Sequence, residues 1–372
     1  MAEKVARSRR MSKELRLVDN EVAFVGVDVH KKTYAVCVWT EEREAVASWV
    51  QPARPALLAE RLEPVRAQIA WVVYEAGPTG YALVRHLRSG GFRTDVIAPS
   101  RTPHAPGRSG KGDRRDAAQM AVLAAKGMLT RIHVPTPEEE ADRQVVRRRN
   151  QLGRELRRTK HRIKSFLLQH GLPGFEHWSR AALEALDALA LGPHLRFCLD
   201  SLLADYAHLR AQLAAADAHV AELARTERHA TAVELVRRVP GVGPTVAMTV
   251  RTELVRPARF HTPQQVASFT GLAPCVRQSG ERTRSGPILK TGNRVLRSLL
   301  VEAAWQWVRH DPAAKALYRH LAAATATPNK AIVGVARHLI ILLWRILTTG
   351  IVYTPPPSAS ADGEPLEPHE DS

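Results

Sequence analysis

The sequence has few cysteines, fewer acidic than basic residues and no uninterrupted apolar run long enough to cross a membrane. Its three cysteines, Cys37, Cys198 and Cys275, lie far apart in the 372-residue chain. This spacing excludes a disulfide framework or a zinc knuckle and indicates a reducing cytoplasm. The most apolar stretch, 331–347, is interrupted by two arginines and a histidine, which make it too polar for a lipid-spanning helix. The basic N-terminus lacks the apolar segment of a secretory signal.

The shortage of acids leaves a large positive charge. The chain has 54 Lys and Arg against 37 Asp and Glu, a formal net charge of +17. An excess of this size indicates a polyanionic partner, and because no segment suits a membrane, that partner is expected to be nucleic acid. Hydrophobic residues make up 45% of the chain, enough for two or three domains with a sizeable core.

Two common catalytic patterns are also missing. The segment "GRSGKGD" (107–113) has the glycines of a phosphate-binding loop. It lacks the G-x-x-x-x-G-K-[ST] spacing, so the sequence does not predict an ATP site. The sixteen histidines show neither H-E-x-x-H nor another paired metal-ligand spacing.

Residues 22–130 alternate between strand-like and helix-like segments. The strand-like runs are "EVAFVGVDVH", "KTYAVCVW", "EAVASWV", "AWVVYEAG" and "FRTDVIAP". The helix-like runs are "PALLAERLEPVRAQI", "TGYALVRHLRSGG" and "DRRDAAQMAVLAAKG". Strands followed by crossover helices predict an α/β sheet with a helical cover. Residues 1–20 precede it as a loose basic arm.

A long helical pair is predicted over 136–230. The first helix begins at "TPEEE", with Thr136 as N-cap and Glu139 at N3, and residues 141–166 hold ten Lys or Arg against two acids. The second helix has apolar residues alternately four and three apart, the seam of a coiled coil. The seam residues are Leu195, Leu199, Leu202, Tyr206, Leu209, Leu213, Ala216, Val220 and Leu223.

The C-terminal third is predicted to be mainly helical. "RRVPGVGPTVAMTV" (237–250) contains a turn of the helix-hairpin-helix type, in which the backbone N–H groups near Gly241 and Gly243 approach a nucleic-acid phosphate. The helices that follow are broken by a loop, "VRQSGERTRSGPILKTGNR". Residues 355–372 hold five acids and no Lys or Arg, which predicts a disordered acidic tail.

Four carboxylates stand where a metal site could form. Asp28 and Glu75 each end a buried strand, where α/β sheets bind ligands. Asp113 and Asp116 begin a helix, where they either favour the positive end of the dipole or share a metal. Four unpaired carboxylates would repel and raise one another's pKa, a cost that Mg²⁺ removes. Two ions about 4 Å apart would suit cleavage of a phosphodiester.

The segments "GVDVHKKTYAV", "YEAGPTGY", "KGDRRDAAQMA", "VPGVGPTVA" and "FTGLAPCVRQSGERTRSGPILKTGNRVLRSLLVEAA" resemble, in this order, a known family. It is the DEDD transposases of the insertion-sequence "one-ten" family, which are related to the Piv site-specific DNA invertases. The resemblance covers about residues 22–350. It implies an RNase H-like domain similar to the RuvC junction resolvase over 21–132, a coiled-coil region over 133–230 and a transposase domain over 231–354.

By motif, Asp28, Glu75, Asp113 and Asp116 match the family's metal-binding tetrad, and Ser279 matches its serine nucleophile. A serine hydroxyl needs a group that takes or screens its proton. Because the loop holds no histidine, a metal-bound site is expected to do this. The cations around the serine suit a scissile phosphate. They are Arg277, Arg282, Arg284, Lys290, Arg294 and Arg297.

The roles of two further residues stay open at this point. Ser285 lies in the same loop and is a minor alternative to Ser279 as the nucleophile. His30, two residues beyond Asp28, is expected to be a neighbour of the metal site and not a ligand.

In many members of the family a non-coding bridge RNA pairs with donor and target DNA. The resemblance implies that the basic helix contacts this RNA, whereas a solvated face covering the coiled coil is the alternative. The candidate contacts are Arg147, Arg148, Arg149, Arg154, Arg157, Arg158 and Lys160.

The resemblance predicts a transposase that uses Mg²⁺, as two ions with Mn²⁺ as a substitute, and a covalent link from Ser279 to a DNA 5′ phosphate. Expected partners are element-end and target DNA, bridge RNA and further copies of the chain in a dimer or tetramer. The serine and the tetrad could come from different protomers. The expected location is the prokaryotic cytoplasm at the nucleoid, with no membrane partner. The alternatives are a nuclease or junction resolvase that uses water and a non-catalytic nucleic-acid scaffold.

Overall fold

The computed structural model divides the chain into two compact units, 1–134 and 135–372. The residues that it describes are 15–103, 112–279, 282–288, 291–325 and 327–355.

The N-terminal unit is built on a five-stranded mixed sheet, as predicted. Its strands are β1 (Ala23–Val29), β2 (Thr33–Thr40), β3 (Glu44–Pro52), β4 (Ile69–Glu75) and β5 (Thr94–Ile97). The strand order is β3-β2-β1-β4-β5. Strands β1, β2 and β3 pair antiparallel, whereas β1, β4 and β5 run parallel. The parallel strands place their carboxyl ends at one edge of the sheet.

Helices cover both faces of this sheet. They are α1 (Pro55–Leu62), α2 (Ala82–Ser89) and α3 (Asp113–Ala125). Leu58 of α1 and Leu87 of α2 pack with Val27 on one face. Met120 of α3 packs with Val73 on the other. Helix α2 connects the parallel strands β4 and β5, a connection that needs such a crossover.

Gly26 of β1 lies directly beneath α3. A Cβ atom at this position would lie 2.0 Å from the carbonyl oxygen of Ala117 and 2.7 Å from the amide nitrogen of Ala121. Only glycine therefore lets the helix backbone approach the strand this closely. Because strand side chains alternate between the two faces, Asp28 shares the α3 face with Gly26.

The predicted basic arm is shorter than residues 1–20. Leu15 is buried and packs with the core of the N-terminal unit, and Leu17 is partly buried against it. Apolar burial therefore holds this part of the segment to the unit. Residues 1–14 lie outside the described residues.

The C-terminal unit is mainly helical. Its helices are α4 (Pro137–Gln169), α5 (Arg180–Asp187), α6 (Pro193–Ala224), α7 (Ala230–Arg237), α8 (Pro244–Leu254), α9 (Pro263–Thr270), α10 (Arg294–His310), α11 (Pro312–Thr325) and α12 (Pro328–Thr349). Helix α4 begins where the sequence predicts. The Thr136 hydroxyl accepts from the Glu139 amide at 3.2 Å, and the Glu139 carboxylate accepts from the Thr136 amide at 2.9 Å.

Helices α4 and α6 run antiparallel. Arg149 pairs with Asp217, while Asp142, nearer the start of α4, bonds to His229 beyond the end of α6. All nine predicted seam residues of α6 are buried or partly buried, which confirms that this stripe is a packing surface.

The helical pair shares its core with the C-terminal helices. Val146 of α4 and Val220 of α6 belong to the same buried cluster as Met248, Leu300 and Leu343. No division between compact units therefore falls at the boundary predicted near residue 230. Helix α12 is long and apolar enough to cross a membrane by length and composition, but its buried side chains supply this core.

The loop predicted around Ser279 is instead an antiparallel hairpin of β6 (Pro274–Ser279) and β7 (Arg282–Ile288). Arginines, glycines and serines are common in this segment. Those residues did not reveal that the two short segments pair with each other, and pairing satisfies the backbone groups of both. Residues 280 and 281 lie outside the described residues.

Replacing Gly26 with alanine is expected to destabilise the N-terminal unit by at least about 2 kcal/mol, because the added methyl group overpacks the β1–α3 contact. Urea unfolding measures this change. Gly77→Ala is the matched control, since a Cβ there has only the Glu75 carbonyl oxygen, at 4.0 Å, within reach. Equal unfolding free energies for the two variants would show that the close approach is not a constraint.

Candidate active site

Two of the four predicted acids lie at the carboxyl ends of neighbouring parallel strands. The register of β1 and β4 pairs Val27 with Tyr74, and Asp28 and Glu75 are the next residue on each strand. Glu75 alternates in phase with Val73, which packs against α3. By this alternation both acids lie on the face of the sheet that α3 covers.

The other two acids lie in the first turn of α3. Asp113 and Asp116 are both exposed there, and the N-cap residue, Gly112, has an extended backbone and supplies no side-chain cap. Carboxylates at this end of a helix are stabilised by its dipole. The dipole explanation and a shared site are thus compatible.

His30 joins the strand and the helix. Its Nε2 atom lies 3.1 Å from Asp28 Oδ2 and 3.4 Å from Asp113 Oδ2. One ligand atom from each of the three residues lies within 4.8 Å of the others. The structure therefore brings Asp28 and Asp113 to one point, and His30 is the neighbour that its spacing predicts.

Burial and neighbouring charges both act on the carboxyl group of Asp28. The pKa of Asp28 is raised, first by burial and further by the negative charges of Asp113 and Asp116, against the opposing effect of His30. Like charges held together in this way favour either a proton or a cation.

The donor set fits a divalent cation. Carboxylate oxygens are the hard ligands that Mg²⁺ and Mn²⁺ take, and Asp28 and Asp113 present them within reach of one ion. Asp116 is near enough for its charge to raise the pKa of Asp28, but among the described residues neither it nor Glu75 belongs to this three-residue group. The imidazole nitrogen of His30 is a ligand type that suits Zn²⁺ and similar metals, whereas carboxylate oxygens suit Mg²⁺ and Mn²⁺.

Ser279 lies in the C-terminal unit, as the last residue of β6. It pairs with Arg282, and Arg277 pairs with Arg284 two positions further along the ladder. Ser285 pairs with Val276, deeper in the hairpin. Among the other predicted cations, Arg294 is the first residue of α10 and is exposed, and Lys290 lies outside the described residues.

Several of the predicted RNA contacts have partners within the chain. Arg147 and Arg149 bond to Glu253 and Asp217 at 2.7 Å. These partners hold the two guanidinium groups against α8 and α6.

The remaining candidates differ in their surroundings. Arg157 bonds to Glu302 at 3.1 Å, Lys160 lies 5.4 Å from the centre of the Trp178 ring, and Arg148 is 4.0 Å from Glu155. Two others, Arg154 and Arg158, are exposed and form no salt bridge within the part of the chain that the structure describes.

The two glycines of the predicted helix-hairpin-helix turn also differ. Gly241 has φ of +84°, and a Cβ there would lie 2.8 Å from the Trp307 amide nitrogen, so packing against α10 requires glycine. Gly243 is exposed as the N-cap residue of α8, and a Cβ there would have no heavy atom within 4 Å. The open side of the turn is therefore at Gly243.

Sequence reasoning missed one buried acid. Glu253 of α8 is only 3% exposed, and it bonds to Arg147 and Asn293. The signal was an acid inside the otherwise apolar-rich run "AMTVRTELV", because buried acids are rare unless they are paired.

Comparisons with known proteins agree with this architecture. A family model described as "Transposase" matches residues 25–171, and one described as "Transposase IS116/IS110/IS902 family" matches residues 233–319. The chain is 34% identical over 302 residues to the putative transposase y4qE of Sinorhizobium fredii, which covers 80% of this chain and 74% of that relative. It is 25% identical over 361 residues to the transposase for insertion sequence element IS1111A of Coxiella burnetii, covering 94% and 96%.

The family matches define an enzyme of the DEDD, RNase H-like nuclease type, and the relatives matched are transposases. The chain belongs to the IS110 family of insertion-sequence transposases. Membership implies an enzyme that cleaves and transfers DNA and binds the ends of its element.

Proposed function

We propose that this transposase recombines DNA through a covalent serine–DNA intermediate, with divalent metal at the acidic cluster and a bridge RNA as guide. The observation that carries the proposal is the meeting of Asp28 and Asp113 at one point, at the carboxyl edge of the sheet. Four carboxylates in a chain of net charge +17 are best explained by a cation that they hold in common. The N-terminal domain is accordingly RuvC-like.

Asp28, Glu75, Asp113 and Asp116 would hold the metal, which we expect to be two Mg²⁺ ions, with Mn²⁺ as a substitute. When bound, the metal supplies positive charge at the scissile phosphate and lowers the pKa of a bound hydroxyl. His30 bonds to Asp28 at 3.1 Å and thereby orients that carboxylate.

Ser279 is the proposed nucleophile. Its Oγ attacks the scissile phosphorus and forms a bond to the 5′ phosphate, while the bond from phosphorus to the 3′ oxygen breaks and that oxygen takes a proton. A 3′ hydroxyl of another strand then attacks the serine ester and releases Ser279. Each step exchanges one phosphodiester for another, so no ATP is needed.

The hairpin supports Ser279 over Ser285. Ser279 is the last residue of β6 and pairs with Arg282, and Arg277 lies two residues before it on the same strand. Guanidinium groups bind phosphate through paired hydrogen bonds. The backbone register thus places Ser279 and these arginines in one short pair of strands.

Trapping of a covalent adduct tests the serine. Purified protein, element-end DNA, the flanking non-coding RNA and Mg²⁺ are incubated, denatured and examined for protein-linked DNA. We expect an adduct with the wild type, its loss in Ser279→Ala, and a reduction of at least about a hundredfold in Asp28→Asn. Ser285→Ala is the matched control and should keep the adduct.

Other outcomes identify the alternatives. Cleavage that survives Ser279→Ala without any adduct would indicate a nuclease that uses water. Activity that survives both Asp28→Asn and Asp116→Asn would indicate that the acidic cluster is not catalytic.

The exposed side of α4 is the proposed RNA surface. Arg148, Arg154 and Arg158 carry this proposal, because they are exposed on α4 and the acid paired with Arg148 is 4.0 Å away.

Gly243 at the N-terminus of α8 is proposed as a backbone contact to a DNA phosphate. We further propose that the protein works as a dimer or tetramer in the cytoplasm, with the outer faces of the coiled-coil pair joining protomers.

Arg154→Glu should weaken RNA binding about tenfold and lower the slope of log affinity against log salt by about one. Fluorescence anisotropy with labelled flanking RNA at several salt concentrations measures both quantities. Arg180→Glu is the control, because Arg180 is 93% exposed on α5 and the substitution changes the net charge by the same amount. The same loss in both variants would mean that α4 has no specific RNA surface.

A further inference from the structure

We propose that Glu253 is a positioning residue of the transposition reaction, which acts with Arg147 and Asn293 to fix the root of the β6–β7 hairpin and so the position of Ser279. This inference rests on the proposed role of Ser279 as the nucleophile. The three residues lie on α4, on α8 and at the start of α10.

Glu253 is a buried carboxylate that accepts hydrogen bonds from three nitrogen atoms of two residues. It is 3% exposed. Arg147 donates from Nε to Oε1 at 2.7 Å and from Nη2 to Oε2 at 2.9 Å, and Asn293 donates from Nδ2 to Oε2 at 2.7 Å. A carboxylate buried in this way is held firmly, because the loss of one partner leaves an uncompensated charge.

The backbone amide, the side-chain oxygen and the side-chain nitrogen of Asn293 all form hydrogen bonds at the root of the hairpin. Its backbone amide donates to the Phe269 carbonyl oxygen at 2.9 Å. Its side-chain oxygen caps α10 by accepting from the Leu296 amide at 3.0 Å. Its side-chain nitrogen is the donor to Glu253. These bonds fix the point at which the chain leaves the hairpin and enters α10.

The chain that enters the hairpin lies against the chain that leaves it. Gly292 has φ of +103°, and a Cβ there would lie 2.6 Å from the amide nitrogen of Gly271. Gly271 ends α9, and the next two residues, Leu272 and Ala273, are buried. Gly271 and Gly292, which flank the hairpin in the sequence, therefore lie in direct contact.

The position of Ser279 depends on the root of the hairpin. A two-stranded hairpin is marginally stable by itself, so its orientation must come from its root. A displacement of about 1 Å in a reacting group can reduce a rate about a hundredfold. Arg147 is accordingly assigned to Glu253 and the hairpin, and not to the RNA backbone.

A pair of substitutions that exchanges donor and acceptor tests this assignment. Asn293→Asp keeps an oxygen to cap α10 but sets a second carboxylate against Glu253. We expect the single-turnover rate of adduct formation, at saturating DNA and RNA, to fall at least about tenfold. Adding Glu253→Gln lets its amide donate to the new carboxylate, and we expect the rate to recover to within about threefold of the wild type.

The affinity for nucleic acid separates positioning from binding. Asn293→Asp, Glu253→Gln and Arg147→Gln should leave the dissociation constant for RNA within about twofold of the wild type, since these groups bond to one another. Arg154→Gln, on the proposed RNA surface, is the matched comparison and should weaken RNA binding. If Arg147→Gln instead behaves like Arg154→Gln, Arg147 is a phosphate contact and the inference is wrong.

Failure of the inference can be distinguished from failure of the proposed function. A wild-type protein that forms no adduct would refute the serine mechanism. A wild type that forms it, with Asn293→Asp equally fast, would overturn the role of Glu253. Hydrogen exchange adds a second readout: Asn293→Asp should speed exchange of the amides in 274–279, and Glu253→Gln should reverse the change. Unaltered exchange together with an unaltered rate would also overturn the inference.

Discussion

The contact of α3 with β1 at Gly26 is the constraint on which the acidic site depends. The helix backbone lies where any side chain at position 26 would stand, and Asp28 follows two residues later on the same face of the strand. Helix α3 therefore begins beside the end of β1, and its first turn presents Asp113 and Asp116 to Asp28. Burial and the charges of Asp113 and Asp116 raise the pKa of Asp28, and both effects are consequences of this backbone packing. The proposed metal site therefore depends on it.

A buried carboxylate, Glu253, organises part of the C-terminal unit in a comparable way. Glu253 joins α4 to the first turn of α10 through Arg147 and Asn293, at the root of the hairpin that carries Ser279. The acids at the sheet edge present their oxygens for a ligand, whereas Glu253 uses both of its oxygens within the protein. Burial decides this difference, because a carboxylate removed from water needs donors in the fold itself.

Much of the fold could be predicted from the sequence, since hydrophobic periodicity and helix capping are local signals. The strands that end in Asp28 and Glu75, the start of α4 at Thr136 and the apolar seam of α6 are examples. The β6–β7 hairpin was missed because pairing of short polar strands depends on non-local bonds. The partners of Arg147 and Arg149 were missed for a related reason: a run of basic residues does not show which of them face an acid on another helix.

Metal binding tests the central claim most directly. Isothermal titration calorimetry with Mn²⁺ should show binding to the wild type, and Asp28→Asn and Asp113→Asn should each weaken it at least about tenfold, because each removes a charged ligand. Asp19→Asn is the matched control, since Asp19 is an exposed acid of the same unit, and it should bind as the wild type does. Equal affinities for all four proteins would contradict the account, because the acids at the edge of the sheet would then hold no common ion.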